Sequence, residues 1–292
     1  MTKGFLVIDK PRGMTSNAVV LRVRRATGET KVGHAGTLDP MATGVVVVAV
    51  GPVTRLIRFI QEQPKEYLAT AQFGVVTDTL DSDGAVLARE PMDFSEAELL
   101  GVARRFVGTI HQVPPMVSAL KHKGRRLYEL AREGEVVERE ARPVEIHELE
   151  IGAVGSGPYP EVAFRVVCGK GTYVRSLADD LAAALGGGAH LTSLRRTRTG
   201  SLDVETHGLA IDRLEEWETR FLAPSDALGD LPAITVTEET ARGVCHGMRF
   251  VGGEMVEAPE NEAVRVLDES GDLIAVYRRE GDQARPEVVL AS

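Results

Sequence analysis

The sequence predicts an α+β fold made of a large domain and a small β-rich one. Strand-like and helix-like segments are mixed throughout, without the regular βαβ rhythm of a parallel sheet and without a phosphate-loop glycine pattern. The length of 292 residues exceeds the usual size of one domain, so one large domain plus a small one is expected.

The first predicted elements flank a glycine-rich loop. Residues 5–8 form an apolar strand. A helix over residues 18–26 follows, with Ser16 or Asn17 as its cap and Gly28 as its stop. A second strand, residues 45–50, comes directly after the loop.

Three more elements complete the first half of the chain. Pro52 opens a helix that runs to about residue 61. Residues 67–73 alternate between apolar and polar side chains, as a strand does. Ser95 and Glu98 have the spacing of a capping box, which predicts a helix to about Phe106.

The second half begins with a strand and a helix. The strand covers residues 160–168, and the helix covers residues 172–185 and ends at three glycines. Residues 222–232 have the composition of a linker. Beyond it, two short strands, residues 263–267 and 273–277, flank a hairpin turn.

The acidic charge is concentrated in the predicted small domain, residues 231–292. That part has twelve acidic residues and six arginines, whereas the large domain, residues 1–225, carries three basic clusters. Phosphate binding depends on local potential, so such clusters can bind nucleic acid even on a chain of net charge −9. The clusters are Arg22, Arg24, Arg25 and Lys31; Lys121, Lys123, Arg125 and Arg126; and Arg195, Arg196 and Arg198.

Composition predicts a cytoplasmic protein without a metal site. No apolar run approaches the ~20 residues of a membrane span, and the apolar stretch near the N-terminus is too short for a signal peptide. Cys168 and Cys245 lie far apart, and the histidines show no metal-ligand spacing. A buried thiol is the expected role of Cys168.

Residues 33–44, GHAGTLDPMATG, place one carboxylate in a loop punctuated by glycines. Pro40 fixes the backbone directly after Asp39. Loops braced by a sheet commonly carry function, so Asp39 is a candidate nucleophile. An Asp-Pro turn whose carboxylate only caps the local backbone is the alternative that spacing alone leaves open.

The whole segment closely resembles the signature loop of the TruB family, the bacterial tRNA pseudouridine-55 synthases. The resemblance implies the pseudouridine synthase fold, a large mixed, mainly antiparallel sheet, followed by a PUA-like RNA-binding module. It implies that Asp39 is the nucleophile that isomerises an extruded T-loop uridine of tRNA, without a cofactor. Attack on the ribose C1′ and a glycal-like intermediate are both open routes.

Three further matches imply the remaining walls of an active site. In GKGTYVR, residues 169–175, Arg175 matches the arginine that pairs with the catalytic acid, and Tyr173 matches an aromatic wall. Tyr67 matches the active-site tyrosine, which stacks on the base or helps remove its C5 proton. Leu194, in GAHLTSLRR, matches the leucine that lines the uracil pocket.

Two residues before Asp39 are expected to serve the same site. His34 matches the histidine that enters the T-loop and fills the space left by the extruded uridine; acid–base catalysis and loop stabilisation are its alternatives. Lys10, in the Lys-Pro motif, is expected either to brace the active-site loop or to bind a substrate phosphate.

An RNA-gripping insertion is expected near residues 105–150, because residues 114–128 and 139–143 also resemble the family. Six basic residues are expected to contact the tRNA backbone without reading bases: Lys121, Lys123, Arg125, Arg126, Arg195 and Arg196. The expected partner is the T-stem-loop of tRNA, bound by a monomer without an obligate protein partner.

Other functions are compatible with parts of this pattern. A guide-RNA-dependent pseudouridine synthase shares the same core, and a non-catalytic tRNA-folding factor would use the same surface. A glycoside hydrolase with paired carboxylates is disfavoured, because no second acid accompanies Asp39 in its motif.

Overall fold

The computed structural model describes residues 3–118, 120–122, 124–127, 130, 133–135, 137–253, 255 and 258–290. The strands in these ranges are β1 (Gly4–Lys10), β2 (Val32–His34), β3 (Thr43–Val50), β4 (Lys65–Phe73), β5 (Val75–Thr77), β6 (Val86–Arg89), β7 (Gly108–Gln112), β8 (Lys121–His122), β9 (Arg125–Arg126), β10 (Arg142–Val154), β11 (Glu161–Cys168), β12 (Ala189–Thr199), β13 (Leu202–Asp203), β14 (Gly208–Ala210), β15 (Ala233–Thr235), β16 (Phe250–Val251), β17 (Ala263–Leu267), β18 (Leu273–Glu280) and β19 (Gln283–Val289).

The helices are α1 (Ser16–Thr27), α2 (Ile57–Glu62), α3 (Glu96–Arg104), α4 (Val174–Ala183), α5 (Val204–His207), α6 (Pro224–Ala227) and α7 (Glu238–Cys245). Two segments, Gly51–Leu56 and Ile211–Arg220, form 3₁₀ helices. No helix in the described ranges is both long and apolar enough to cross a membrane.

A mixed sheet is the framework on which the loops are arranged. Among the described residues it has ten strands, in the order β14, β1, β3, β12, β4, β11, β10 and β7, with β2 and β13 paired to β3 and β12. The pairs β1–β14 and β3–β12 are parallel and the others antiparallel. The prediction of a mixed, mainly antiparallel sheet in an α+β fold is confirmed.

A second sheet contains the C-terminal strands. It has five strands in the described part of the chain, in the order β15, β17, β18, β19 and β16. The predicted hairpin is present, because β17 and β18 are antiparallel across the turn at residues 268–272. The expected small β-rich domain is therefore confirmed.

The helix α1 begins earlier than expected. Its cap is Thr15, whose side chain accepts the N–H of Ala18, whereas Ser16 and Asn17 belong to the helix. The hydroxyl of Ser16 instead accepts the N–H of Leu38 at 2.8 Å. The residue predicted as a cap thus ties α1 to the glycine-rich loop.

The predicted linker, residues 222–232, is partly structured. Leu222 exchanges two backbone hydrogen bonds with Phe5, at 3.0 and 2.9 Å. The short helix α6 follows, and Ala227 and Leu228 are buried. These contacts attach the start of the C-terminal part to the edge of the large sheet.

The large sheet has a separate apolar core on each face. One core packs α1, α3 and α4 against the sheet and includes Tyr67 and Leu194. The other joins sheet residues such as Val7 and Val47 to C-terminal residues such as Val276 and Val288. The two sheets therefore share a buried core.

Candidate active site

A pocket of about 520 Å³ opens between the glycine-rich loop and strands β4 and β12. Its walls come from the loop after β2, from one face of β4 and β12, and from the segment that leads into α4. It collects six of the residues that the sequence singled out: Asp39, Tyr67, Tyr173, Arg175, Leu194 and Arg196.

Asp39 and Arg175 form an ion pair in this pocket. Nη2 of Arg175 lies 2.9 Å from Oδ2 of Asp39, and the side chains are 2% and 32% exposed, respectively. Arg175 lies in the first turn of α4, so the helix anchors the cation while the carboxylate stays accessible.

Three further groups hold Arg175 in place. Its Nη1 donates to the carbonyl of Thr79 and its Nη2 to the carbonyl of Val117, both at 2.8 Å. Oδ2 of Asp81 lies 3.5 Å from Nη1, and the Asp81 side chain is 8% exposed. One buried guanidinium therefore bridges two carboxylates, and it has little freedom to turn away from Asp39.

Asp81 is fixed by the turn between β5 and β6. Its Oδ1 accepts the hydroxyl of Thr79 at 2.6 Å and the N–H of Asp83 at 3.1 Å. Leu80, directly before it, has φ 57°, in the left-handed region that costs a leucine conformational energy. The bent backbone directs Asp81 inward.

Lys10 is buried and supports the glycine-rich loop. Its ammonium donates to the carbonyls of Pro11, Met14 and Pro40 at 3.0, 2.7 and 3.3 Å, and none of its surface is exposed. Burial lowers the pKa of Lys10 to about 8, and Asp39 acts in the opposite direction. These contacts favour the alternative in which Lys10 braces the loop, and its contact with a substrate phosphate stays a prediction.

Tyr67 and Leu194 lie on neighbouring strands and face the same pocket. In the antiparallel register of β4 and β12, Leu194 is opposite Ala69 and Arg196 is opposite Tyr67. Burial raises the pKa of the Tyr67 hydroxyl, while Arg196 counteracts that shift. The phenol is therefore protonated near neutral pH.

Tyr173 is placed at the pocket by its backbone. Its N–H donates to Oε1 of Gln112 at 2.7 Å, and its carbonyl accepts Nε2 of the same residue at 3.1 Å. Burial raises the pKa of its hydroxyl. Gln112 was not expected from the sequence, where nothing connects it to a residue 61 positions away.

His34 lies at the end of β2 and does not line the pocket. Burial lowers its pKa, with the backbone of Gly36 acting in the opposite direction. The imidazole is therefore neutral near pH 7, which disfavours a role as a permanent cation.

Three family models match the chain in succession. Residues 24–174 match the N-terminal domain of TruB family pseudouridylate synthases, which is more than half of the chain. Residues 175–228 match the tRNA pseudouridylate synthase B C-terminal domain, and residues 231–291 match the C-terminal domain of tRNA pseudouridine synthase II.

The chain belongs to the TruB family of pseudouridine synthases. It is similar to tRNA pseudouridine synthase B of Moorella thermoacetica, with 45% identity over 97% of this chain and 95% of that protein. The protein of the same name from Thermobifida fusca is 42% identical over 100% of this chain and 99% of its own length.

A solved structure also resembles this TruB-family chain. A chain in the crystal structure of a Cbf5-Nop10-Gar1 complex aligns with a TM-score of 0.76 at 25% identity, covering 98% of this chain and 84% of that one. The pseudouridine synthase fold is thereby confirmed.

The two arginines predicted to bind RNA near the end of β12 differ in exposure. Arg195 is partly exposed and pairs with Asp9, at 2.9 Å between Nη2 and Oδ2. Arg196 is 3% exposed. Its Nε donates to the carbonyl of Val45 at 2.7 Å, and its Nη atoms donate to loop carbonyls. This burial disfavours a surface contact of Arg196 with the RNA backbone, which stays a prediction.

Three of the other predicted basic contacts, Lys121, Arg125 and Arg126, lie on the β8–β9 hairpin. Lys121 and Arg126 are paired in its backbone register. Arg125 is exposed and forms an ion pair with Glu133. Lys123 lies outside the described residues.

Sequence reasoning missed Asp81, the second acid on Arg175. The available signal was local: an acidic residue between Thr79 and Gly84 in a turn-rich segment. Nothing in the sequence connected that turn to Arg175, because their contact depends on how β5, β6 and α4 meet in the folded chain.

Proposed function

We propose that this protein converts the T-loop uridine at position 55 of tRNA to pseudouridine, without a guide RNA, with Asp39 as the nucleophile. The observation that carries the proposal is the Asp39–Arg175 ion pair at the pocket wall, in a chain 45% identical to a tRNA pseudouridine synthase B. A partly exposed carboxylate held by a buried cation suits attack on a ribose brought into the pocket.

The target uridine leaves the RNA stack to reach this carboxylate. Tyr67 and Leu194 offer the walls between which its base would lie, and Tyr173 lines the same pocket. Stacking on an aromatic ring contributes ~1–3 kcal/mol, which offsets much of the cost of unstacking one base. We assign Tyr67 to stacking, because its raised pKa opposes a phenolate that could accept the C5 proton.

Asp39 acts on the ribose in either chemical route. It forms a bond to C1′ as the glycosidic bond breaks, or it removes the C2′ proton to give a glycal. Arg175 neutralises and orients the carboxylate in both cases. In both, the uracil turns within the pocket and rejoins the ribose through C5.

We assign tRNA binding mainly to a catalytic domain of residues 1–225. His34 would enter the T-loop from the end of β2, and Lys121, Lys123, Arg125 and Arg126 would contact phosphates. Residues 231–292 would form a PUA-like domain, whose acidic charge limits its share of the affinity.

Similarity to proteins named tRNA pseudouridine synthase B favours action without a guide RNA or an obligate protein partner. The chain matches proteins named tRNA pseudouridine synthase B at 42–45% identity over nearly its full length, against 25% for the chain from the Cbf5 complex. We therefore propose a cytoplasmic monomer that acts on tRNA directly. An intact Asp39–Arg175 pair disfavours a purely non-catalytic folding factor.

The test uses purified protein and a tRNA transcript labelled with tritium at uridine C5. Wild type releases tritium from one T-loop uridine with no guide RNA added. Asp39→Asn abolishes release while tRNA binding changes by no more than about threefold, because the amide keeps the shape but lacks the charge. Asp83→Asn, an exposed acid nearby, is the matched control. Retained turnover in Asp39→Asn would remove the nucleophile assignment.

A further inference from the structure

Arg196 is a buried cation in the pocket wall. It is 3% exposed, and its guanidinium donates to the carbonyls of Val45, Thr37 and Gly36 at 2.7, 3.3 and 3.3 Å. Among the described residues no carboxylate lies within ion-pair distance of it. Its partners, these carbonyls and the side chain of Tyr67, carry no negative charge, so this buried guanidinium is costly to keep.

On the side of the pocket opposite Arg196, the positive charge of Arg175 is matched by carboxylates. Arg175 faces two carboxylates, those of Asp39 and Asp81. Lys65, which also lines the pocket near Arg196, donates to the carbonyls of Gln61 and Gln63. The unmatched positive charge of the pocket therefore lies on the β4–β12 side.

Arg196 faces the position expected for the base. It is opposite Tyr67 in the register of β4 and β12, and Leu194 precedes it by two residues on the same buried face. A uracil between Tyr67 and Leu194 would present its polar edge toward the guanidinium.

The expected reaction produces an anion at this place. When the N1–C1′ bond breaks, both bonding electrons stay on the base, so uracil leaves as an anion with charge spread over N1, O2 and O4. The ribose C1′ bonds to Asp39 or, in the glycal route, the C2′ proton goes to Asp39. On rejoining, a C5 electron pair bonds to C1′ as the Asp39–C1′ bond breaks or, in the glycal route, as Asp39 returns its proton to C2′. C5 then loses its proton, and N1 gains one.

We propose that Arg196 stabilises the detached uracil anion in this pocket. The inference rests on the proposed function, because only cleavage of the glycosidic bond creates that charge. A preformed donor directed at developing charge acts mainly on the rate of the chemical step, and less on substrate binding.

The first experiment compares single-turnover rates at saturating tRNA. Arg196→Gln keeps an amide donor for the loop carbonyls but removes the charge, and it slows the reaction by about 100-fold, with tRNA affinity changed by no more than about threefold. Arg165→Gln is the matched control, because that arginine pairs with Glu66 and Glu148 outside the pocket, and its rate stays at the wild-type value. A wild-type rate in Arg196→Gln overturns the proposal.

A second substrate separates charge stabilisation from support of the loop. In tRNA with 5-fluorouridine at the target, fluorine stabilises the leaving base, and cleavage is followed as loss of 5-fluorouridine from the nucleoside digest. The slowing caused by Arg196→Gln shrinks to about tenfold or less on this substrate. Equal slowing on both substrates overturns the proposal in favour of a loop-positioning role.

A thermal melt accompanies each variant. If Arg196→Gln does not fold, Arg196→Lys replaces it: with the charge kept, its slowing is equal on the two substrates, and unequal slowing overturns the proposal. Inactivity of the wild type on both substrates would instead refute the proposed function itself.

Discussion

Nη2 of Arg175 lies 2.9 Å from Oδ2 of Asp39, and this arginine is among the largest fully buried side chains of the protein. Burying an arginine without a counter-ion costs free energy, and a carboxylate without a partner can adopt other rotamers. The ion pair offsets the cost of burying Arg175 and fixes the direction of the Asp39 carboxylate. Asp81 provides a second carboxylate, with Oδ2 3.5 Å from Nη1 of Arg175.

Asp81→Asn should slow pseudouridine formation without preventing folding. The amide keeps the size of the side chain but removes one of the two negative charges on Arg175, so the guanidinium is held less firmly toward Asp39. Loss of such a supporting group typically costs about 10- to 100-fold in activity. Single-turnover tritium release at saturating tRNA measures the effect.

The control for this variant is Asp83→Asn. Asp83 pairs with Arg12 at the surface, where both side chains are about half exposed, so its loss should leave the rate unchanged. Equal rates in wild type and Asp81→Asn would show that Arg175 needs only Asp39 and its two carbonyl partners.

Local sequence signals predicted several elements of the fold. Ser95 and Glu98 form the expected capping box, and Gly28 ends α1 with φ 69°. These features depend on a few neighbouring residues, so the sequence contains them directly. The mistaken cap of α1 is of another kind, because Ser16 is recruited by Leu38 from a distant loop.

The chemistry of the site was predictable only where a residue type fits one role. Asp39, Arg175 and Tyr67 are brought together as the motifs indicated. Lys10 and Arg196 look like phosphate-binding residues in the sequence, but the sheet buries both of them. Burial depends on which strands become neighbours, and a list of basic residues does not contain that information.

Cys168 should resist alkylation in the folded protein. It is 1% exposed, and burial raises the pKa of its thiol to about 11, so only roughly one molecule in a thousand carries the reactive thiolate near pH 8. Cys245 is partly exposed and should react first. Mass spectrometry after brief iodoacetamide treatment distinguishes the two sites. Labelling of Cys168 at the same rate as Cys245 would contradict its burial, and labelling of both in urea is the control.

Asp180→Asn should stabilise the protein near neutral pH. Burial, together with the charge of Asp179, raises the pKa of Asp180 from 3.8 to about 6. The folded carboxyl therefore holds its proton more tightly than the unfolded one. Its contribution to stability is present at acid pH and is lost as the pH rises through about 6.

The substitution should increase the free energy of unfolding by about 1 kcal/mol near pH 7.5, after allowance for partial exposure of the group. Near pH 3 the difference should nearly vanish, because Asp180 is then mostly protonated in both the folded and the unfolded chain. Urea unfolding at the two pH values measures this. Asp83→Asn is the comparison: this acid is about half exposed at the surface, so its loss should change stability little at either pH. A gain for Asp180→Asn that is equal at both pH values would contradict the assigned pKa.

The two sheets should unfold together, because strand β18 is buried on both faces. Val276 packs into the core shared with the large sheet, while its neighbour Tyr277 packs into a separate C-terminal core with Val244 of α7. Val276→Ala should therefore lower the free energy of unfolding of the whole chain by about 1–3 kcal/mol.

The control is Arg58→Ala, which removes an exposed partner of Glu287 across the same interface and should lower the free energy of unfolding by less than about 1 kcal/mol. Circular dichroism and tryptophan fluorescence in urea should give coincident transitions in all three proteins, since Trp217 packs against the core on the other face of the large sheet. An early transition in Val276→Ala that leaves the Trp217 signal unchanged would show instead that the C-terminal sheet detaches and unfolds by itself.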